Sequence, residues 1–138
     1  MNLLQRVREW RKEKKIQAAV VKHCQRNFQL REVLLSHNVK LAEQRTIDLH
    51  FWAQGREAAE RLSNALASLG YPVSRTNPSS DGQAVSNSCV WNVESSVLLT
   101  PSLTLSASFT EEMVRLAAGH NAIYDGWGTA IDPVVQSS

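Results

Sequence analysis

Two cysteines, four prolines and six glycines in 138 residues leave little material for a stapled or loop-dominated chain. Cys24 and Cys89 belong to no C-x-x-C pair, which excludes a zinc knuckle and a thioredoxin-type redox site. His23, His37, His50 and His120 are scattered, with no H-E-x-x-H or similar spacing to set two imidazoles on one helical face. No Gly-rich phosphate loop or Ser-His-Asp order is present either, so no metal, no cofactor and no catalytic residue is expected. Long apolar runs are also missing. Ala18 to Val21 is among the longest and falls far short of the roughly 20 residues that span a bilayer. The basic residues near the start are not followed by an apolar h-region or a small-residue cleavage site, so a cytoplasmic protein is expected. What remains, 43% hydrophobic and 20% charged, suits one compact globular chain.

The net charge of +2 conceals an asymmetry. Residues 1–45 carry eleven Lys/Arg against four Asp/Glu, a net of +7, whereas residues 46–138 carry four against nine, a net of −5. We therefore divide the chain into a basic arm, 1–45, and an acidic body, 46–138. Such a split points the arm at an anion: nucleic acid, a membrane surface, an acidic partner or its own body.

From Leu3 to about Leu41 there is neither Pro nor Gly, and Arg, Lys, Glu, Gln, Ala and Leu dominate, which predicts a long helix fraying at His37-Asn38. A 3.5-residue spacing selects Leu3, Val7, Trp10, Lys14, Gln17, Val21, Cys24 and Phe28, a seam interrupted over Lys12 to Lys15. Leu3, Leu4, Val7 and Trp10 beside Arg6, Arg8, Arg11, Lys12, Lys14 and Lys15 have the make-up of an interfacial helix or a phosphate-gripping segment. The plainer alternative is a solvated helix packing its apolar side on the body or on a second copy of the chain. Oligomeric state stays open.

In the body, Ile47, Leu49 and Phe51 alternate with Asp48, His50 and Trp52, the period of a half-buried strand. Arg56 to Leu69 then carries apolar residues at helical spacing, with Gly70 placed for the left-handed C′ position. Tyr71-Pro72-Val73 reads as a short strand at an edge or with Pro72 at its start. Asn77 to Ser88 is turn and loop chemistry. Cys89 to about Leu99 is a third strand. A second helix enters either at Thr100-Pro101, with Thr as cap and Pro at N1, or at Thr110, and ends at Gly119. Ile123 to Ile131 is a last strand, stopped by Pro133 and the Ser-Ser tail. The order βαββαβ folds most simply as a ferredoxin-like α+β two-layer sandwich, here preceded by the long basic helix. The expected core is Ile47, Leu49, Phe51, Leu62, Leu66, Leu69, Val73, Trp91, Val93, Phe109, Met113 and Leu116. Asp48, His50, Trp52, Asn92 and Glu94 would line the opposite sheet face, where the basic helix could lie, +7 against −5.

Tyr124-Asp125-Gly126-Trp127-Gly128-Thr129 resembles the signature of the ribonuclease E inhibitor family, the regulators of ribonuclease activity B. Leu69-Gly70-Tyr71-x-Val73 and Met113, Leu116 and Ala117 extend the resemblance over about residues 46–133. It implies a ferredoxin-like sandwich and a non-enzymatic bacterial regulator that binds a ribonuclease, ribonuclease E or a relative, outside its catalytic centre. The chain departs from the family's named member, which is acidic with an acidic C-terminal tail; here the end is Pro133 to Ser138 and the start is basic.

Within the hexapeptide, Asp-Gly favours a tight turn or bulge, and Gly126 and Gly128 permit positive φ or close backbone approach. Tyr124 and Trp127 either pack on the sheet or, with Asp125, Gly126 and Gly128, form a protein contact anchored by an exposed Trp127. Two further functions compete. Cys89 and His50 could make a thiolate nucleophile, but they fall on opposite registers. Trp52 could stack single-stranded RNA, but Asp48 and Glu94 beside it repel phosphates, so any RNA contact belongs to Arg6 to Lys15 and would be blind to sequence.

Overall fold

The computed structural model describes residues 2–79 and 89–131; most of the expected loop before Cys89, and Pro133 with the Ser-Ser tail, lie outside the described residues. Helix α1, Leu3–Ser36, starts at a capping box in which the Asn2 side chain accepts from the Gln5 N–H and the Gln5 side chain accepts from the Asn2 N–H. It stops at His37, earlier than Leu41. Asn38 takes φ 60°, and the N–H groups of Asn38 and Val39 close on the carbonyls of Leu35 and Leu34 at 3.1 and 3.0 Å, the two bonds of a Schellman ending.

Strand β1, Arg45–Gln54, buries Ile47, Leu49, Phe51 and Ala53 in strict alternation. Helix α2, Arg56–Ser68, ends with Gly70 at φ 90° and the Tyr71 N–H on the Leu66 carbonyl at 2.8 Å. That ending turns the adjacent Leu69 out to solvent, away from the core expected for it. Strand β2, Val73–Pro78, begins after Pro72 and takes in Asn77 and Pro78, which the composition alone assigns to the loop. Strand β3, Val90–Leu99, is followed by one turn, α3, Pro101–Thr104, capped by Thr100. The long helix α4, Ala107–Gly119, starts at neither Thr100 nor Thr110. Ser106 accepts the Phe109 N–H and caps it, while the Thr110 hydroxyl bonds back to the Ser106 carbonyl. Strand β4, Ala122–Gly128, stops short of the expected Ile131.

The sheet order is β2-β3-β1-β4, antiparallel throughout, which is the ferredoxin-like arrangement of a βαββαβ chain. Helices α2 and α4 cover one face around Leu49, Phe51, Leu62, Leu66, Val93, Phe109 and Met113, with Val73, Trp91 and Leu116 packed at the margin.

Helix α1 does not cross the other face. It lies beside α4 and beyond β4, on the helical side, with Ile16 inside the common core. The face with Asp48, His50, Trp52, Asn92 and Glu94 stays half-exposed, and its His50 and Glu94 face each other across β1 and β3 at 3.6 Å. Attraction of the basic helix to the acidic sheet face is thus not what seats α1. The residues on its docked side, Ile16, Val20, His23, Asn27, Leu30 and Leu34, recur at intervals of four and three. The more apolar seam through Leu3, Val7, Trp10, Val21 and Phe28 is the one that faces solvent.

Candidate functional site

The hexapeptide and the basic helix meet. In β4, Leu49 pairs with Trp127 and Phe51 with Tyr124, but His50 pairs with Gly126, so Asp125 is an extra residue and the strand is bulged there. Gly126 carries the bulge at φ 113°, and a Cβ on it would stand 3.1 Å from the Arg26 guanidinium. The positive φ is what calls for glycine, since the guanidinium ends a flexible side chain. Gly128 has neither a positive φ nor a neighbour within 4 Å, so the freedom expected of both glycines is used by one.

Three residues of α1, spaced to face the bulge, hold it. His23 Nε2 donates to the Tyr124 carbonyl at 2.9 Å, and Arg26 Nη1 donates to the Asp125 carbonyl at 2.8 Å. Asn27 is buried; its Oδ1 accepts from Trp127 Nε1 at 3.2 Å and its Nδ2 donates to the Thr110 hydroxyl at 3.1 Å. Tyr124 lies in the core between Phe51 and the His23 ring, with centroids 5.3 and 5.0 Å away. Trp127 is half-buried against the core, and Asp125 is exposed. None of His23, Arg26 and Asn27 stands out in the sequence. The signal of His23 and Asn27 is the four-three spacing they share with Ile16 and Leu34, which polar side chains disguise; Arg26 lies off it, at the edge of the docked side.

Further along, Arg115 of α4 grips the Glu13 carboxylate through Nη2 at 2.6 Å and Nη1 at 2.9 Å. These two hydrogen bonds, with a third from the Gln17 amide, pull the Glu13 pKa down to about 2, and the Glu13 carboxylate raises that of Arg115. The contact fixes where α1 leaves the body.

Burial pulls the His23 pKa below the ordinary histidine value, more strongly than the Tyr124 carbonyl raises it. The unfolded chain therefore takes up this proton at a higher pH than the folded one. Stability due to neutral His23 is complete above about pH 6.5 and is lost as the pH falls from there through the folded value. Urea denaturation at neutral and mildly acid pH should show a smaller acid loss in His23→Gln than in the parent chain, by less than about 1 kcal/mol. An equal loss in both would assign the acid sensitivity elsewhere. The Glu13–Arg115 pair keeps its charge throughout that range.

Between α1, α4 and β4 runs a groove of about 540 Å³. Ile16, Ala19, Val114, Ala118 and Ala122 give it an apolar floor, Lys12, Lys15, Lys22 and Arg26 a basic rim, and Asp125 is the one carboxylate on its lining. Of the six arm residues singled out in the sequence, Lys12 and Lys15 reach this groove. Arg6, Arg8, Arg11 and Lys14 do not line it, and the Lys14 ammonium stands 5.5 Å from the centre of the Trp10 ring. Of the hexapeptide, Tyr124 and Asp125 line it. Cys89 precedes β3, five positions along from the Glu94 that opposes His50, roughly 17 Å at strand spacing, so the two make no catalytic pair. Among the described residues no cluster of three or more His, Cys, Asp or Glu could hold a metal ion.

The family model for regulator of ribonuclease activity B matches residues 24–129, from the second half of α1 to just past β4. The chain belongs to that family. A search of curated proteins finds no match. The match takes in His-bonded Tyr124, the bulge and the α1 residues from Cys24 onward, and leaves out the first two thirds of α1. Members of the regulator of ribonuclease activity B family are non-enzymatic regulators. No helix among the described residues is long and apolar enough to cross a membrane.

Proposed function

We propose that this regulator of ribonuclease activity B family member acts in the bacterial cytoplasm by binding a ribonuclease E-type enzyme outside its catalytic centre, and that the groove between α1, α4 and β4 is the contact. One observation carries the reading: the groove sets an apolar floor beneath four cations and a single carboxylate. A protein segment presenting acidic and apolar side chains complements it in both respects, the charges steering and the apolar part holding. The hexapeptide contributes Tyr124 and Asp125 to the wall, while Gly126 sets the bulge and Trp127 ties the strand behind it to Asn27. The basic helix supplies the rim, so the two halves of the sequence serve one surface. RNA would use the cations but not the floor.

Lys15 and Lys22 are exposed and their replacement leaves the core intact. The pair Lys15→Glu and Lys22→Glu should weaken binding to a purified ribonuclease E-type enzyme on the order of 100-fold, as read by calorimetry, and relieve slowing of RNA cleavage in parallel. Binding of the parent chain should survive removal of RNA. Full inhibition by the double variant would move the contact away from the groove; absence of binding by the parent chain would remove the ribonuclease reading itself.

A further inference from the structure

The first turns of α1 take no part in the groove's floor and extend past the Glu13–Arg115 pair. From Leu3 to Lys12 they reach about 15 Å at ordinary helical rise. The capping box at Asn2 and Gln5 keeps this extension helical to its tip. Leu3, Leu4 and Trp10 are 76%, 68% and 61% exposed, far more than the packing of a solvated helix requires.

The carboxylate of this segment, Glu9, and the one just beyond it, Glu13, are turned the other way. Glu13 is held by Arg115, and Glu9 lines the recess between α1 and α4 with Ile16 and Gly119. At about 100° per residue, Leu3, Leu4, Val7 and Trp10 fall on an arc of roughly 120° opposite Ile16. Arg11 and Lys14 lie within that arc, Arg8 and Lys15 border it on one side and Arg6 on the other. The outward face is thus apolar and cationic, without a negative charge.

We propose that this face docks on an anionic lipid surface, lying in the plane of the headgroups with Leu3, Leu4, Val7 and Trp10 inserted and the Arg and Lys side chains on lipid phosphates. Charge decides among occupants. A second copy of the chain would bring Arg11 and Lys14 of both helices into one seam, where they repel. RNA would leave the four apolar side chains wet. An anionic bilayer takes both: the apolar side chains enter the acyl boundary, tryptophan sits at the interface, and each cation gains near the charged surface. Four apolar residues make this a reversible attachment, and Lys15, which borders this face and also rims the groove, sets the two surfaces side by side along α1.

The test is co-sedimentation of the full chain with vesicles of phosphatidylcholine mixed with phosphatidylglycerol, against phosphatidylcholine alone. The parent chain should bind the mixed vesicles, release with added salt and ignore the neutral ones. Leu4→Ser with Trp10→Ser should weaken binding at least tenfold, and Arg11→Ser about fivefold, with thermal unfolding unchanged because these side chains touch little of the body. Polyglutamate and RNA serve as lipid-free polyanions. If they bind as well as the mixed vesicles and the double serine variant binds them all equally, the face is only a cationic patch and the proposal fails. No binding to mixed vesicles, or equal binding to neutral ones, also overturns it.

Discussion

Tyr124→Ala should cost the fold about 4 kcal/mol, whereas Tyr124→Phe should raise stability by about 1 kcal/mol. The tyrosine ring is 4% exposed and fills the space between Phe51 and His23. Removing it leaves a cavity walled by the sheet and α1, which are held in place by their other contacts and collapse only in part. The hydroxyl is a different matter. It is buried and finds no hydrogen-bond partner among the described residues, and burial pushes its ionisation well above the ordinary tyrosine range. Phenylalanine keeps the packing and deletes an unsatisfied polar atom. Urea denaturation of the three proteins separates the two contributions. A loss in Tyr124→Phe comparable to that in Tyr124→Ala would mean that the hydroxyl, and not the ring, holds α1 to the strand.

The second large effect falls on Asn27, 5% exposed in the middle of α1. Asn27→Ala should destabilise by about 3 kcal/mol, since it strips partners from both the Trp127 indole and the Thr110 hydroxyl. The Thr110 hydroxyl still donates to the Ser106 carbonyl, so the indole is the donor left orphaned, and Trp127→Phe removes it. The double variant should therefore lose less than the sum of the single losses, by about 1 kcal/mol. Strict additivity would show that the indole bond contributes nothing to the docking of α1.

Both residues lie where the sequence is hard to read, and the contrast with the readable parts is physical. The alternation Ile47, Leu49, Phe51 and the stop at Gly70 are decided within a few neighbouring residues, by pleat and by helix-end geometry, so they are visible without a partner. Thr100 also caps where its position before Pro101 says it should. The docked side of α1 is decided by what it meets. It meets backbone carbonyls at a bulge and an indole N–H, so it carries His23, Arg26 and Asn27, while the apolar residues that hydropathy selects face outward. Periodicity gives the helix but not the side that binds. The hexapeptide shows the same division. Its glycine-borne bulge is legible from Asp125-Gly126, but the side chains that complete it arrive from a hundred residues away. Ser106 is hidden for a simpler reason: Ser or Thr stands at every second position from Thr100 to Thr110, and only the packing of Phe109 and Met113 chooses among them.

The bonds from His23 and Arg26 to the β4 backbone also decide how the molecule can meet others of its kind. An outermost strand is a template on which a foreign strand can polymerise. On β4 the carbonyls of Tyr124 and Asp125 are already occupied, and the bulge bends the chain between them. A newcomer there would have to unseat α1 first. On the other flank no described residue pairs with the outer side of β2, where Pro72 and Pro78, one just before the strand and one at its end, withhold donors. Among the described residues the sheet is thus guarded by α1 at β4 and by prolines at β2, and a chain that lost the hold of α1 would lose the stronger of the two guards.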